Sequence, residues 1–182
     1  MVEKKDIQFS EEALQRIRKI ILHYPEGQKK SALLPLLHIA QAESGGWLSI
    51  PVMDHVAELL EIEPVEVYEV ATFYSMYYTK PVGRCVISMC QTSACCLNEA
   101  ETVIGHVEKK LGIKSGETTN DGMFTLKVVE CLAACGQGPV WQIGSVYYEH
   151  MTIEKADELL EYLKQHDACS HRYPFSDKLI NQ

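Results

Sequence analysis

The sequence predicts a mixed helix-and-sheet (α+β or α/β) protein in two parts: a set of helices over residues 1–80 and a small α/β unit over 81–166, with a polar tail over 167–182. Three observations carry this prediction. Apolar residues recur at helical spacing from Leu14 to Tyr74, with proline at helix starts. At Lys80-Pro81-Val82-Gly83 the pattern changes to β-branched and alternating runs. Beyond that boundary the order is strand, helix, strand, hairpin, helix, the order of a small α/β unit. A chain of 182 residues is long enough to bury a real core.

The elements follow in chain order. Ser10 is placed to cap a first helix, with Glu11 and Glu12 in its first turn, where carboxylates offset the helix dipole. Leu14, Ile17, Ile21 and Tyr24 form its apolar stripe until Tyr24-Pro25-Glu26-Gly27 stops it. A second helix runs from about Ser31 to Glu43, with Leu34, Leu37 and Ile39 apolar, Pro35 near its first turn and Gly45-Gly46 as terminator. A third starts at Ser49-Ile50-Pro51 and carries Val52, Val56, Leu59 and Leu60. A fourth starts at Glu63-Pro64 and carries Val67, Val70, Ala71 and Tyr74. Proline is favoured at such starts because its missing N–H is not needed there.

The second part opens with a strand from Arg84 to Met89 that ends at Cys90. A helix from Leu97 to Leu111 follows, with Val103, Ile104, Val107 and Leu111 apolar and Gly112 just past its end. The turn Asn120-Asp121-Gly122 leads into a strand from Met123 to Glu130, in which Phe124, Leu126 and Val128 alternate with more polar residues. Val140 to Tyr148 reads as a short hairpin around Gly144-Ser145, and Thr152 caps a last helix carrying Leu159, Leu160 and Leu163.

Composition narrows the classes of function. Net charge is −8, with 8 basic and 12 acidic side chains in residues 1–80 and 9 and 13 in the remainder. Such a surface repels phosphate backbones, so nucleic-acid binding is not expected. The proline-started helices look like a helix-turn-helix, but Glu58, Glu61, Glu63, Glu66 and Glu69 make that region acidic. No apolar stretch approaches the roughly 20 residues of a membrane span, and the first residues lack a secretory signal. A cytoplasmic protein with no direct membrane insertion is expected.

The seven cysteines are more informative. In a reducing compartment an odd, clustered set points to metal or redox chemistry rather than to a disulfide framework. One strand runs into Cys90-x₄-Cys95 and the other into Cys131-x₃-Cys135. With a right-handed crossover helix between them the strands are parallel, and both thiol pairs fall at the same sheet edge, where sites in open α/β sheets lie. Four cysteines, two per iron, are what a [2Fe–2S] cluster requires. Structural zinc prefers Cys-x₂-Cys knuckles and a [4Fe–4S] cluster a compact Cys-x₂-Cys-x₂-Cys run, and neither spacing is present; a Cys₄ zinc interaction module stays open as an alternative. Cys85 also lies five positions before Cys90, but it sits inside the strand pattern as a small buried hydrophobe. Cys90 and Cys95 are expected in a loop, and Cys96 as a packing residue at a helix start. Cys169-Ser170-His171 looks like half of a Rieske motif but has no Cys-x-x-His partner. Ser93, Ala94, Ala133 and Ala134 leave backbone N–H groups free to donate to sulfur, and Gly136-Gln137-Gly138-Pro139 allows close backbone approach.

The segments Ser31–Gln41, Val67–Tyr74 and Lys80–Gly83, the motifs Cys90-x₄-Cys95 and Val129-Glu130-Cys131-Leu132-Ala133-Ala134-Cys135, and Tyr147-Tyr148-Glu149 with 152–160 resemble the NuoE family. Its members are subunits of NADH–quinone oxidoreductase, known in mitochondria as the 24 kDa subunit of complex I. The resemblance covers about residues 10–165. It implies an N-terminal helical domain followed by a thioredoxin-like [2Fe–2S] ferredoxin domain, with the cluster held by Cys90, Cys95, Cys131 and Cys135. It also implies one-electron exchange with FMN on a partner flavoprotein (NuoF-like) that oxidises NADH. A larger iron–sulfur subunit of the peripheral arm, at the cytoplasmic face of the membrane, is the other implied partner. The equivalent diaphorase subunit of an NAD-linked hydrogenase or formate dehydrogenase is the alternative within that chemistry. No Rossmann fingerprint or phosphate loop is present, so NADH and flavin are expected elsewhere, and the helical part is expected to dock. The chain departs from the family's pattern at Asn98 and Glu99, where a glycine and an arginine are common, and at Gln137-Gly138-Pro139, where Asn-Ala-Pro is frequent. A reduction potential is therefore not carried over.

Overall fold

The computed structural model describes residues 7–166, which fall into two compact units meeting in sequence at Pro81 and Val82. The Rieske-like Cys169-Ser170-His171 and the polar tail lie outside the described residues.

The first unit is helical. Helix α1 is Glu11–Leu22, and the Ser10 hydroxyl accepts from the Ala13 N–H at 3.1 Å, the cap its position predicted. Its buried stripe is Ala13, Ile17 and Ile20, about one position away from the expected Leu14 and Ile21. A 3₁₀ turn at Lys29–Ala32 leads into α2, Leu33–Glu43, so the expected helix is α-helical only over its later part. Leu33, Leu36, Leu37 and Ile39 are buried in α2, whereas Leu34 is on the rim. Helix α3 is Ile50–Leu60 and α4 is Pro64–Phe73, both proline-started as expected. In α4 the Glu66 carboxylate reaches back to the Glu63 N–H at 3.1 Å, one arm of a capping box.

Polar side chains close this unit below α4. Gln41, 9% exposed, donates to the Met76 carbonyl at 3.1 Å and accepts from the Tyr78 N–H at 2.7 Å. Tyr77 is buried and donates to the Leu34 carbonyl at 2.9 Å. Tyr77 thus takes the core position expected for Tyr74, which is exposed. Phe73 and Met76 stand exposed beside it.

The second unit is a four-stranded sheet in the order β2-β1-β3-β4, with β1 at Cys85–Cys90, β2 at Phe124–Val129, β3 at Trp141–Ile143 and β4 at Val146–Tyr148. β1 and β2 are parallel, with Cys90 opposite Val129, so their carboxyl ends coincide as expected. The hairpin β3–β4 joins the other side of β1 antiparallel. Ile87, Met89, Phe124, Leu126, Trp141, Leu160 and Leu163 fill the core, each full burial being worth roughly 1.5–3 kcal/mol. Gly83 lies against β2 so tightly that a Cβ there would meet backbone atoms of Gly122 and Phe124 at 3.0 Å. Its N–H donates to the buried Thr125 hydroxyl at 2.7 Å.

The helix expected over Leu97–Leu111 is α6, Ala100–Leu111, and a short helix that the sequence did not announce, α5, Ser93–Leu97, precedes it. Asn98 ends α5 by donating from its amide to the Ala94 carbonyl at 2.7 Å, and Glu99 turns the chain in the left-handed region at φ 66°. Helix α7, Ile153–Gln165, is capped by Thr152, whose hydroxyl accepts from Lys155 N–H at 3.3 Å. Asp157 of α7 links to α6 through Lys110 at 2.8 Å and His106 at 2.7 Å. Among the described residues no helix is long and apolar enough to cross a membrane.

Candidate metal centre

The carboxyl ends of β1 and β2 deliver the predicted cysteines to one place. Cys90 is the last residue of β1 and Cys95 lies in α5, so neither is in an open loop as expected; both are 2% exposed within the core. The short helix is what brings Cys95 back towards Cys90. Cys131 follows β2 and Cys135 begins a 3₁₀ turn at Cys135–Gln137; both are exposed. The Cys131 and Cys135 sulfurs are 3.4 Å apart. Each of the four thiols interacts electrostatically with at least two of the others.

Donors surround these sulfurs. The Thr92 hydroxyl is 3.2 Å from Cys90 Sγ, and the Ala133 N–H donates to Cys131 Sγ at 3.3 Å. Burial pushes the Cys90 thiol up, yet the Thr92 hydroxyl and N–H, with Cys95 and the Leu132 N–H, outweigh it and hold Cys90 below the ordinary thiol value. The Ala133 N–H, with Cys135, likewise lowers Cys131. Burial and the adjacent Cys90 raise Cys95, and Cys131 raises Cys135. In each pair the two thiols are thus shifted in opposite directions.

The donor set fits a binuclear cluster. The four thiols come together as two pairs, Cys90 with Cys95 and Cys131 with Cys135, and a [2Fe–2S] cluster takes four cysteines, two per iron. A Cβ on Gly138 would stand 3.5 Å from Cys95 Sγ, so glycine there leaves the space beside that sulfur open. A Cβ on Gly136 would meet nothing within 4 Å.

A family model described as thioredoxin-like [2Fe-2S] ferredoxin matches residues 17–164. The chain belongs to that family. Among curated relatives of this ferredoxin is the NuoE-type NADH-quinone oxidoreductase subunit of Rickettsia felis, 46% identical over 153 residues, 84% of this chain and 92% of that one. Mitochondrial NADH dehydrogenase [ubiquinone] flavoprotein 2 of Dictyostelium discoideum is 40% identical over 156 residues, 86% of this chain and 63% of that one. The ferredoxin is therefore also a member of the NuoE family of NADH–quinone oxidoreductase subunits. Its fold resembles part of an NAD+-reducing [NiFe]-hydrogenase crystallised in the H2-reduced state, with TM-score 0.65, 19% identity, and coverage of 74% of this chain and 22% of that one.

Two other cysteines of the ferredoxin lie among the described residues. The Cys96 thiol donates to the Gln91 carbonyl at 2.7 Å and is pushed up by burial and by Glu101. Cys85 is 1% exposed in β1, the buried strand position expected of it. Sequence reasoning missed Thr92, Leu132 and Tyr147. The Tyr147 hydroxyl donates to the Leu132 carbonyl at 2.9 Å, a contact between β4 and the cysteine loop that no local motif announces.

Proposed function

We propose that Cys90, Cys95, Cys131 and Cys135 hold the [2Fe–2S] cluster and that the chain passes single electrons between the FMN of an NADH-oxidising flavoprotein subunit and the rest of an NADH–quinone oxidoreductase. The observation that carries this reading is the meeting of two cysteine pairs at the carboxyl ends of parallel β1 and β2. The cluster, when bound, supplies one-electron exchange. The chain's own residues do the rest. β1 and α5 bury one pair against Trp141 and Val140, excluding water from that side, while the exposed pair faces outward, where a redox partner can approach. N–H donors from Thr92, Leu132 and Ala133 favour the more negative reduced state.

The relatives' names support the complex: both are subunits of NADH dehydrogenases acting on quinones. The helical unit, residues 1–80 in the sequence reading, is the proposed docking element, and exposed Phe73, Tyr74 and Met76 suit that role. The flavoprotein and the larger iron–sulfur subunit are the proposed partners, at the cytoplasmic face of the membrane.

The test is reconstitution. The full chain should carry iron and acid-labile sulfide at about two each. NADH should reduce it only when the flavoprotein is added. Direct bleaching by NADH alone, or a colourless protein containing zinc, would overturn the reading. Subunits recovered from the native cell distinguish a quinone-reducing assembly from a hydrogenase or formate dehydrogenase.

A further inference from the structure

We infer that Tyr147 is a positioning residue for the cluster, acting through one peptide group on the Cys131 sulfur. This rests on the proposed ligation by Cys131. The Tyr147 hydroxyl donates to the carbonyl of Leu132 at 2.9 Å, and the N–H of Ala133 donates to Cys131 Sγ at 3.3 Å. That carbonyl and that N–H belong to the same peptide unit. In a planar trans peptide they point in opposite directions, so a grip on the oxygen aims the hydrogen. Tyr147 holds the oxygen from β4, and the N–H on the other side is turned towards the sulfur.

Two further features make the grip necessary. Ala133 sits at φ 61°, a left-handed conformation that costs a non-glycine residue roughly 1–2 kcal/mol. Rotating the Leu132–Ala133 peptide would relieve that strain and carry the N–H away from sulfur; Tyr147 opposes the rotation. Cys131 is itself exposed, so its sulfur relies on the loop around it, whose Leu132 and Ala134 pack only partly buried against the core. A hydrogen bond accepted by the carbonyl further polarises the peptide and strengthens its N–H as a donor. The chain Tyr147 O–H to Leu132 C=O, then Ala133 N–H to Cys131 Sγ, is a two-bond relay from a β-strand to a ligand sulfur.

Reduction adds one electron, supplied by the flavoprotein, to an already anionic cluster. Donors to its sulfurs favour the reduced form and raise the potential. Removing the Tyr147 hydroxyl should therefore lower it. The experiment is an EPR-monitored redox titration of the full, cluster-loaded chain carrying Tyr147→Phe, which keeps the ring and removes only the donor. At a fixed ambient potential the ratio of reduced to oxidised cluster should fall roughly threefold, about 28 mV at 59 mV per tenfold for a one-electron couple. The hyperfine coupling of the exchangeable Ala133 proton in the reduced state should weaken with it.

If Tyr147→Phe loads poorly, 3-fluorotyrosine at position 147 gives the opposite test. It is a stronger donor in the same shape and should raise the potential. A loaded Tyr147→Phe chain with unmoved potential and unmoved coupling overturns the relay, as does a fluorotyrosine chain whose potential is unchanged. The ligand reading fails separately: there, Cys131→Ser would leave the EPR signal intact, whatever Tyr147 does.

Discussion

At the residue scale, the backbone at Glu99 exposes the cost of ending one helix and starting another within two residues. Glu99 lies at φ 66°, where a side chain is unfavourable by roughly 1–2 kcal/mol and glycine is not. Glu99→Gly should stabilise the chain by about 0.5–1 kcal/mol after the added flexibility of the unfolded chain is offset, measured as a rise in the urea midpoint with an unchanged slope. A fall in stability would show that the Glu99 side chain contributes more than its backbone costs. The sequence already marked the pair Asn98-Glu99, where a glycine and an arginine are common in the NuoE family, but it did not show the reason. A helical pattern running through Cys96, Leu97 and Val103 hid the break, because apolar spacing continues across it. That Cys90, Cys95, Cys131 and Cys135 come together was legible, because their spacing after two parallel strands places both pairs at one sheet edge. Thr92 and Tyr147 were not. Threonine and tyrosine near a cysteine are ordinary in sequence, and their contacts are set by how the strands fold back.

At the element scale, α6 and α7 are tied by Asp157, whose carboxyl the Lys110 ammonium, and after it His106, hold below its ordinary value of 3.8. A carboxylate lowered in the folded state contributes stability that is fully present above that ordinary value and is lost as pH falls through the folded value. Thermal melts between neutral pH and strong acid should therefore show Asp157→Asn losing less stability on acidification than the parent chain. Identical acid limbs would mean that the α6–α7 ion pairs do not contribute. Element starts were largely legible, because Ser10, Pro51, Pro64 and Thr152 act locally. Which residue of a stripe turns inward was less so. Leu34 and Tyr74 were expected inside and are exposed or at the rim, while Leu33, Leu36 and Tyr77 are buried. A 3₁₀ turn at Lys29–Ala32 replaces the expected first residues of α2, and Gln41 ties down the loop after α4 in which Tyr77 is buried. Neither effect can be read from local periodicity.

At the scale of the whole molecule, two compact units share the chain, and the four proposed ligands Cys90, Cys95, Cys131 and Cys135 lie entirely in the second. In the proposed reading the second unit sets the potential and the first offers exposed Phe73, Tyr74 and Met76 to a partner. Parallel pairing of β1 and β2 was the fold-level inference on which the site depended, and it is what places residues 41 positions apart in sequence side by side, as Cys90 and Cys131 are. The most direct test of that claim is the EPR spectrum of the reduced full chain, recorded for the parent and for single serine substitutions of each cysteine. The signal should vanish or distort when Cys90, Cys95, Cys131 or Cys135 is replaced and persist unchanged when Cys96 is. An unaltered spectrum from any one of those four variants would contradict the account.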